Sequence, residues 1–230
     1  MRPAAPSNSL LLLTCLVAGG CSDQSPRTLA VRLDPSASGN GQAQLVDAYL
    51  QNPIRVIVTE DGTPKSGVVV VWETTGQGAT VGQSSLSGQD GTAQTFWKMP
   101  NTAGSQEATA TVADADGSPV TFVATALPGP AHRLVIEAGD GQTQTASVVF
   151  SEALAVRVTD RLSNPVAQAP VQWELTSGSV ILDRSVTNSG ADGIAEVELT
   201  AGPIAGAATV TAALAGGTPS VVFHVTVVAP

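Results

Sequence analysis

Few residues in this chain have the type and spacing that chemistry requires. Its two histidines, His132 and His224, stand far apart; His224 alternates with Phe223 and Val225, which turns it toward solvent. Neither has a nucleophile motif beside it, since the chain holds no Gly-x-Ser-x-Gly, no His-Glu-x-x-His and no phosphate-binding glycine loop. Asp114-Ala115-Asp116-Gly117 carries the alternating carboxylates and glycine of a calcium loop, because a hard cation wants several oxygens from a tight turn. Two carboxylates are few for that task, and the matching stretch near Ala215-Gly216-Gly217 has none, so a hairpin turn is favoured over a weak calcium site. Asp90-Gly91 and Asp192-Gly193 lead to the same conclusion. Glu196 and Glu198 form a carboxylate pair on the exposed face of one strand, whereas hydrolysis by two carboxylates needs a cleft. The expectation is a protein that is not an enzyme, with no catalytic residues, no cofactor and no resident metal.

One residue remains with chemistry to do. Arg2, the apolar run Leu10 to Val17 and the small residues Ala18, Gly19 and Gly20 make a signal peptide over residues 1–20. The run is too short to span a bilayer, which takes about 20 apolar residues. Val17-Ala18-Gly19-Gly20-Cys21 resembles the lipobox of bacterial lipoproteins, which implies that the Cys21 thiol is acylated and becomes the mature N-terminus. Each buried CH₂ of such chains contributes about 0.8 kcal/mol, so several chains on Cys21 would hold the protein on a lipid bilayer. Ser22, rather than Asp, follows the cysteine, and by the resemblance that implies an outer-membrane address, on the cell surface or the periplasmic face.

Removal of the leader also removes Cys15, so the mature chain cannot form an intramolecular disulfide and must be stabilised by burial. Loss of Arg2 takes the formal charge from -9 to -10. Nucleic-acid binding needs clustered Lys and Arg to displace counterions, so no nucleic-acid partner is expected.

The elements that position these residues come from a duplication. Val56, Val58, Thr59 and Glu60 match Val156, Val158, Thr159 and Asp160 at an offset of 100. Trp72-Glu73 matches Trp173-Glu174 and Phe122 matches Phe223 at 101, while Gly88-Gln89-Asp90-Gly91-Thr92-Ala93 matches Gly190-Ala191-Asp192-Gly193-Ile194-Ala195 at 102, as Ala103-Gly104 matches Ala205-Gly206. Offsets that drift by single residues are what loops produce when strands keep their register.

Within each copy the period is two. Val171, Trp173 and Leu175 alternate with polar residues, as do Val197 and Leu199, and Phe223, Val225 and Val227. Turn signals such as Ser163-Asn164-Pro165 and Gly202-Pro203 recur between them. The prediction is an all-β chain of two tandem immunoglobulin-like antiparallel β-sandwiches. A lipidated Cys21 and short tether would occupy 21–27, the first sandwich 28–127, a stiff Pro/Gly linker 128–131 and the second sandwich 132–230. The structural core should contain Trp72, Trp173, Trp97, Phe122 and Phe223, with Trp97 matched by Leu199 and Phe96 pointing outward.

A Val-x-Val-Thr-acid strand, a buried Trp, a Gly-x-Asp-Gly-x-Ala turn, an Ala-Gly pair and a closing Val-x-Phe strand, each seen twice, resemble the bacterial Ig-like domain of group 1, the repeat of intimin and invasin. In those adhesins the repeats are spacers that carry a binding tip, and a β-barrel holds them in the outer membrane; this chain shows neither a barrel nor a distinct tip. The resemblance implies a membrane-anchored surface or envelope lipoprotein that contacts an unknown protein partner, with cell adhesion as one form of that contact. Two alternatives stand beside it: a spacer or envelope scaffold without a ligand, and a carbohydrate-binding module, which a cluster of Phe96, Tyr49 or Phe150 would favour.

Overall fold

The computed structural model describes residues 27–230, so the leader, Cys21 and most of the tether lie outside the described residues. Every regular element among the described residues is a β-strand. The alternation in sequence explains why: Val120–Leu127 buries every second residue, and Ser220–Val228 buries Phe223, Val225 and Val227 while His224 and Thr226 face water.

In the first half, Ile54–Glu60 sits between Leu29–Leu33 on one side and Thr92–Thr95 on the other, extended by the short Thr63–Pro64. Facing it is a five-stranded sheet in the order Ala43–Leu45, Val120–Leu127, Gly104–Thr111, Val69–Thr74, Ser84–Leu86. Ile54, Val56 and Val58 from the first sheet share one apolar cluster with Trp72, Ala110 and Phe122 from the second. The second half repeats this plan. Arg133–Ala138, Leu154–Thr159 and Ile194–Val197 form one sheet, and Thr143–Thr145, Ser220–Val228, Gly206–Leu214, Pro170–Ser177 and Val186–Asn188 the other, around a second cluster that contains Trp173 and Phe223. Each apolar face is thus covered by the opposite sheet, the two-layer solution for half-buried strands.

Two details depart from the sequence expectation. The sheets are not wholly antiparallel: Ala43–Leu45 runs parallel to Val120–Leu127, and Thr143–Thr145 parallel to Ser220–Val228. Both short strands lack a run of apolar residues, so periodicity alone gave them no place. Leu175 is not on the buried face with Val171 and Trp173 but 37% exposed. The register of its strand against Gly206–Leu214 shifts between Leu175 and Ser177, and such a bulge re-aims the side chains beside it.

Candidate functional site

The two sandwiches meet through side chains that sequence reasoning passed over. Asp160 is 3% exposed. Its Oδ1 accepts from the backbone N–H groups of Leu162 and Asn164, both at 2.8 Å, and its Oδ2 accepts from Gly129 N at 2.8 Å and Asn164 Nδ2 at 3.0 Å. Gly129 lies in the linker, so Asp160 fixes the linker to the second sandwich. Asn164 then reaches across: its Nδ2 donates to the Asn101 carbonyl at 2.9 Å and its Oδ1 accepts from Ala103 N at 2.8 Å. Burial by itself would raise the Asp160 pKa, but the hydrogen bonds from Asn164, Gly129 and Leu162 outweigh it and hold the carboxyl below its ordinary value. In the first copy Glu60, at the position of Asp160, makes no such clamp and pairs with Lys65 at 2.8 Å instead, and Pro64 is the counterpart of Pro165, since each pairs with the threonine of the preceding strand, Thr59 or Thr159. The clue in the sequence is one extra residue: four residues separate Asp160 from Pro165, whereas three separate Glu60 from its counterpart Pro64.

The remaining repeated residues serve the framework. Trp72 Nε1 donates to Ser85 Oγ at 2.9 Å and Trp173 Nε1 to Thr187 Oγ1 at 2.8 Å, and their rings pack against Phe122 and Phe223 at 6.0 and 5.9 Å. Gly91 and Gly193 have φ near +75° and +79°, and a Cβ on either would lie 2.5 or 2.6 Å from the carbonyl of Val58 or Val158, which explains the shared Asp-Gly turn. A further repeat escaped the sequence reading: Gly39-Asn40-Gly41-Gln42-Ala43-Gln44 matches Gly139-Asp140-Gly141-Gln142-Thr143-Gln144 at an offset of 100. Gln42 and Gln142 each donate to two loop carbonyls, at 2.7 and 2.9 Å and at 2.8 and 2.9 Å. The signal was identity of polar residues outside any strand pattern.

All five predicted core side chains are buried, Trp97 and both phenylalanines completely. Trp97 Nε1 has no hydrogen-bond partner among the described residues, and Leu199 at the matching position has no such donor to satisfy. Phe150 is 6% exposed and belongs to the core, so it is not part of an exposed aromatic cluster; it occupies the place of Leu50, whose backbone makes the same strand contact. His132, His224, Glu196 and Glu198 are exposed and spread over the second half. Asp116 serves through its backbone, which hydrogen-bonds Leu29 and Val31, while Asp114 occupies a turn at φ 54°. Among the described residues no three His, Cys, Asp or Glu side chains gather to hold a metal. An open groove of about 690 Å³ includes Asp34, Arg55, Asp90 and Gln94, and the second copy repeats it at Arg184, Asp192 and Glu196, so it follows from the gap between the two sheet edges.

Two Ig-like sandwiches with a duplicated core and a hydrogen-bonded joint define a tandem Ig-like protein. Residues 138–228, within the second sandwich, match the bacterial Ig-like domain (group 1). The structure of InvD from Yersinia pseudotuberculosis is similar over 89% of this chain and 58% of that one, at 14% identity and a TM-score of 0.56, a likeness of fold. The D00-D0 domain of intimin aligns over 87% of this chain and 99% of its own at 17% identity, with a TM-score of 0.40. Comparison with curated proteins gives no match.

Proposed function

We propose that the protein is a lipid-anchored adhesin-type component of the bacterial envelope that presents two Ig-like sandwiches for contact with a protein partner, and that it is not an enzyme. The observation that carries this reading is the joint. Asn164 spans from the second sandwich to the Asn101 and Ala103 backbone of the first, so the pair is held together rather than strung on a free linker. A tethered module that must carry a surface away from a membrane needs such a joint, because a mobile one lowers the effective concentration of that surface at its target. The leader followed by Cys21 supports the anchor, and the adhesin-type fold supports the surface role.

Protease shaving of intact cells, with wild type and Cys21→Ala fractionated in parallel, tests the proposal. Wild type should fractionate with membranes and be lost on shaving, while Cys21→Ala should leave the membrane fraction. Membrane retention with protection from protease would replace surface adhesion by a periplasmic scaffold. Wild type in the soluble fraction would remove the anchor.

A further inference from the structure

The chain has eight aromatic residues. Six are buried in the two cores, and the two others, Tyr49 and Phe96, are each 57% exposed. They are 47 positions apart in sequence, yet the fold sets them on one face of the first sandwich. Tyr49 forms an antiparallel bridge with Lys98. Leu50 N donates to the Trp97 carbonyl at 2.9 Å and Met99 N to the Ala48 carbonyl at 2.8 Å. Tyr49 and Lys98 are therefore a non-hydrogen-bonded pair, the arrangement that brings opposite side chains closest. Phe96 precedes Lys98 by two, with buried Trp97 between them, so it shares the outward face of Lys98, at the point where the register changes by two residues, from Tyr49 opposite Lys98 to Ile54 opposite Thr95. Lys98, on the strand position opposite Tyr49, pairs through Nζ with Asp47 Oδ1 at 2.5 Å.

The second sandwich is an internal control for what the fold requires. There Val149 bridges Thr200, Phe150 N donates to the Leu199 carbonyl at 2.9 Å and Ala201 N to the Val148 carbonyl at 2.9 Å, the same geometry in every respect. Asp47, Tyr49, Phe96 and Lys98 are replaced by Ser147, Val149, Glu198 and Thr200. The backbone arrangement thus forms without the aromatic pair or the ion pair, so these four side chains are free to serve a ligand.

We propose that Tyr49 and Phe96, with Lys98 and Asp47 beside them, form a binding shelf for a neutral glycan chain. The rings offer apolar faces with a polar phenol at one edge, the combination that suits an amphipathic ligand. The ion pair neutralises itself locally, so the shelf has no net charge to attract an anion or a cation, but it retains carboxylate acceptors and ammonium donors for hydroxyl groups. A pyranose presents the complement: apolar ring C–H groups on a face and hydroxyls at the rim. More than half of each aromatic residue stays in water, so the shelf suits an internal stretch of a polymer rather than an enclosed small molecule. The inference goes beyond the protein contact proposed above by adding a glycan ligand, and it is tested on isolated protein so that its outcome is independent of anchoring and of any protein partner.

The full chain, purified in a non-glycosidic detergent, would be passed over immobilised neutral polysaccharides (glucans, mannan, galactan and chitin oligosaccharides) and over a proline-rich peptide. Retention on at least one polysaccharide is expected, with a loss of tenfold or more in Tyr49→Val and Phe96→Glu, which install the residues of the second sandwich and should unfold at the wild-type temperature. Amide chemical-shift changes on wild type should cluster around residues 47–50 and 96–98, which keeps the test decisive if a variant misfolds. Absence of polysaccharide binding, undiminished binding by both folded variants, shifts elsewhere, or binding of the peptide alone would each overturn the proposal.

Discussion

Replacing Asn164 by alanine should uncouple the two sandwiches. The side chain makes three hydrogen bonds: to the Asn101 carbonyl, from Ala103 N, and to Asp160. The Asp160 bond lies within the second sandwich, so only the bonds to Asn101 and from Ala103 couple the two, and at about 0.5–1.5 kcal/mol each they contribute about 1–3 kcal/mol. Opening the joint admits water to Asn101 and Ala103, so no cost of a stranded buried group adds to this. We therefore expect about 1–3 kcal/mol of docking free energy to be lost, roughly a five- to 150-fold change in the closed-to-open ratio. The assay is NMR relaxation and residual dipolar coupling on both sandwiches. Wild type should fit one alignment tensor, and Asn164→Ala should need two, with faster local tumbling of each unit. A variant that still fits one tensor, with the same rotational correlation time as wild type, would refute the reasoning and shift the work of the joint to the linker prolines.

Two further outcomes follow from the same geometry. Trp173 is buried, packs on Phe223 and donates to Thr187, so Trp173→Ala should cost about 3–5 kcal/mol by denaturant unfolding, whereas exposed His224→Ala should lie within about 0.5 kcal/mol of wild type; equal and small effects would mean the faces of those strands are misassigned. Asp160 titrates below the ordinary carboxylate value, so its stabilising contribution is fully present above about pH 4 and is lost as pH falls through the lower folded value. Asp160→Asn should remove that part of the acid dependence, and identical acid unfolding profiles for the two proteins would show that other carboxylates govern it.

What the sequence determined by itself is the set of strand faces and the duplication. The two-residue period is a local property of extended backbone, so Val56, Val58, Trp173 and Phe223 declare their side of a sheet without reference to any partner. The Asp-Gly turns are legible too, because Asp90 and Asp192 accept from the backbone N–H two residues on, although the close approach of the Val58 and Val158 carbonyls to Gly91 and Gly193 is set by strand pairing. The core tryptophans were legible from the two-residue period, and Leu175 was misread where a bulge in the pairing interrupts it. What only the tertiary structure decided is which distant residues share a surface. Strand pairing sets Tyr49 opposite Lys98, and the packing of one sandwich on the next sets Asn164 against Asn101. Those adjacencies depend on register between strands and on the docking of whole sheets, energies summed over many side chains, so no local pattern in the sequence encodes them.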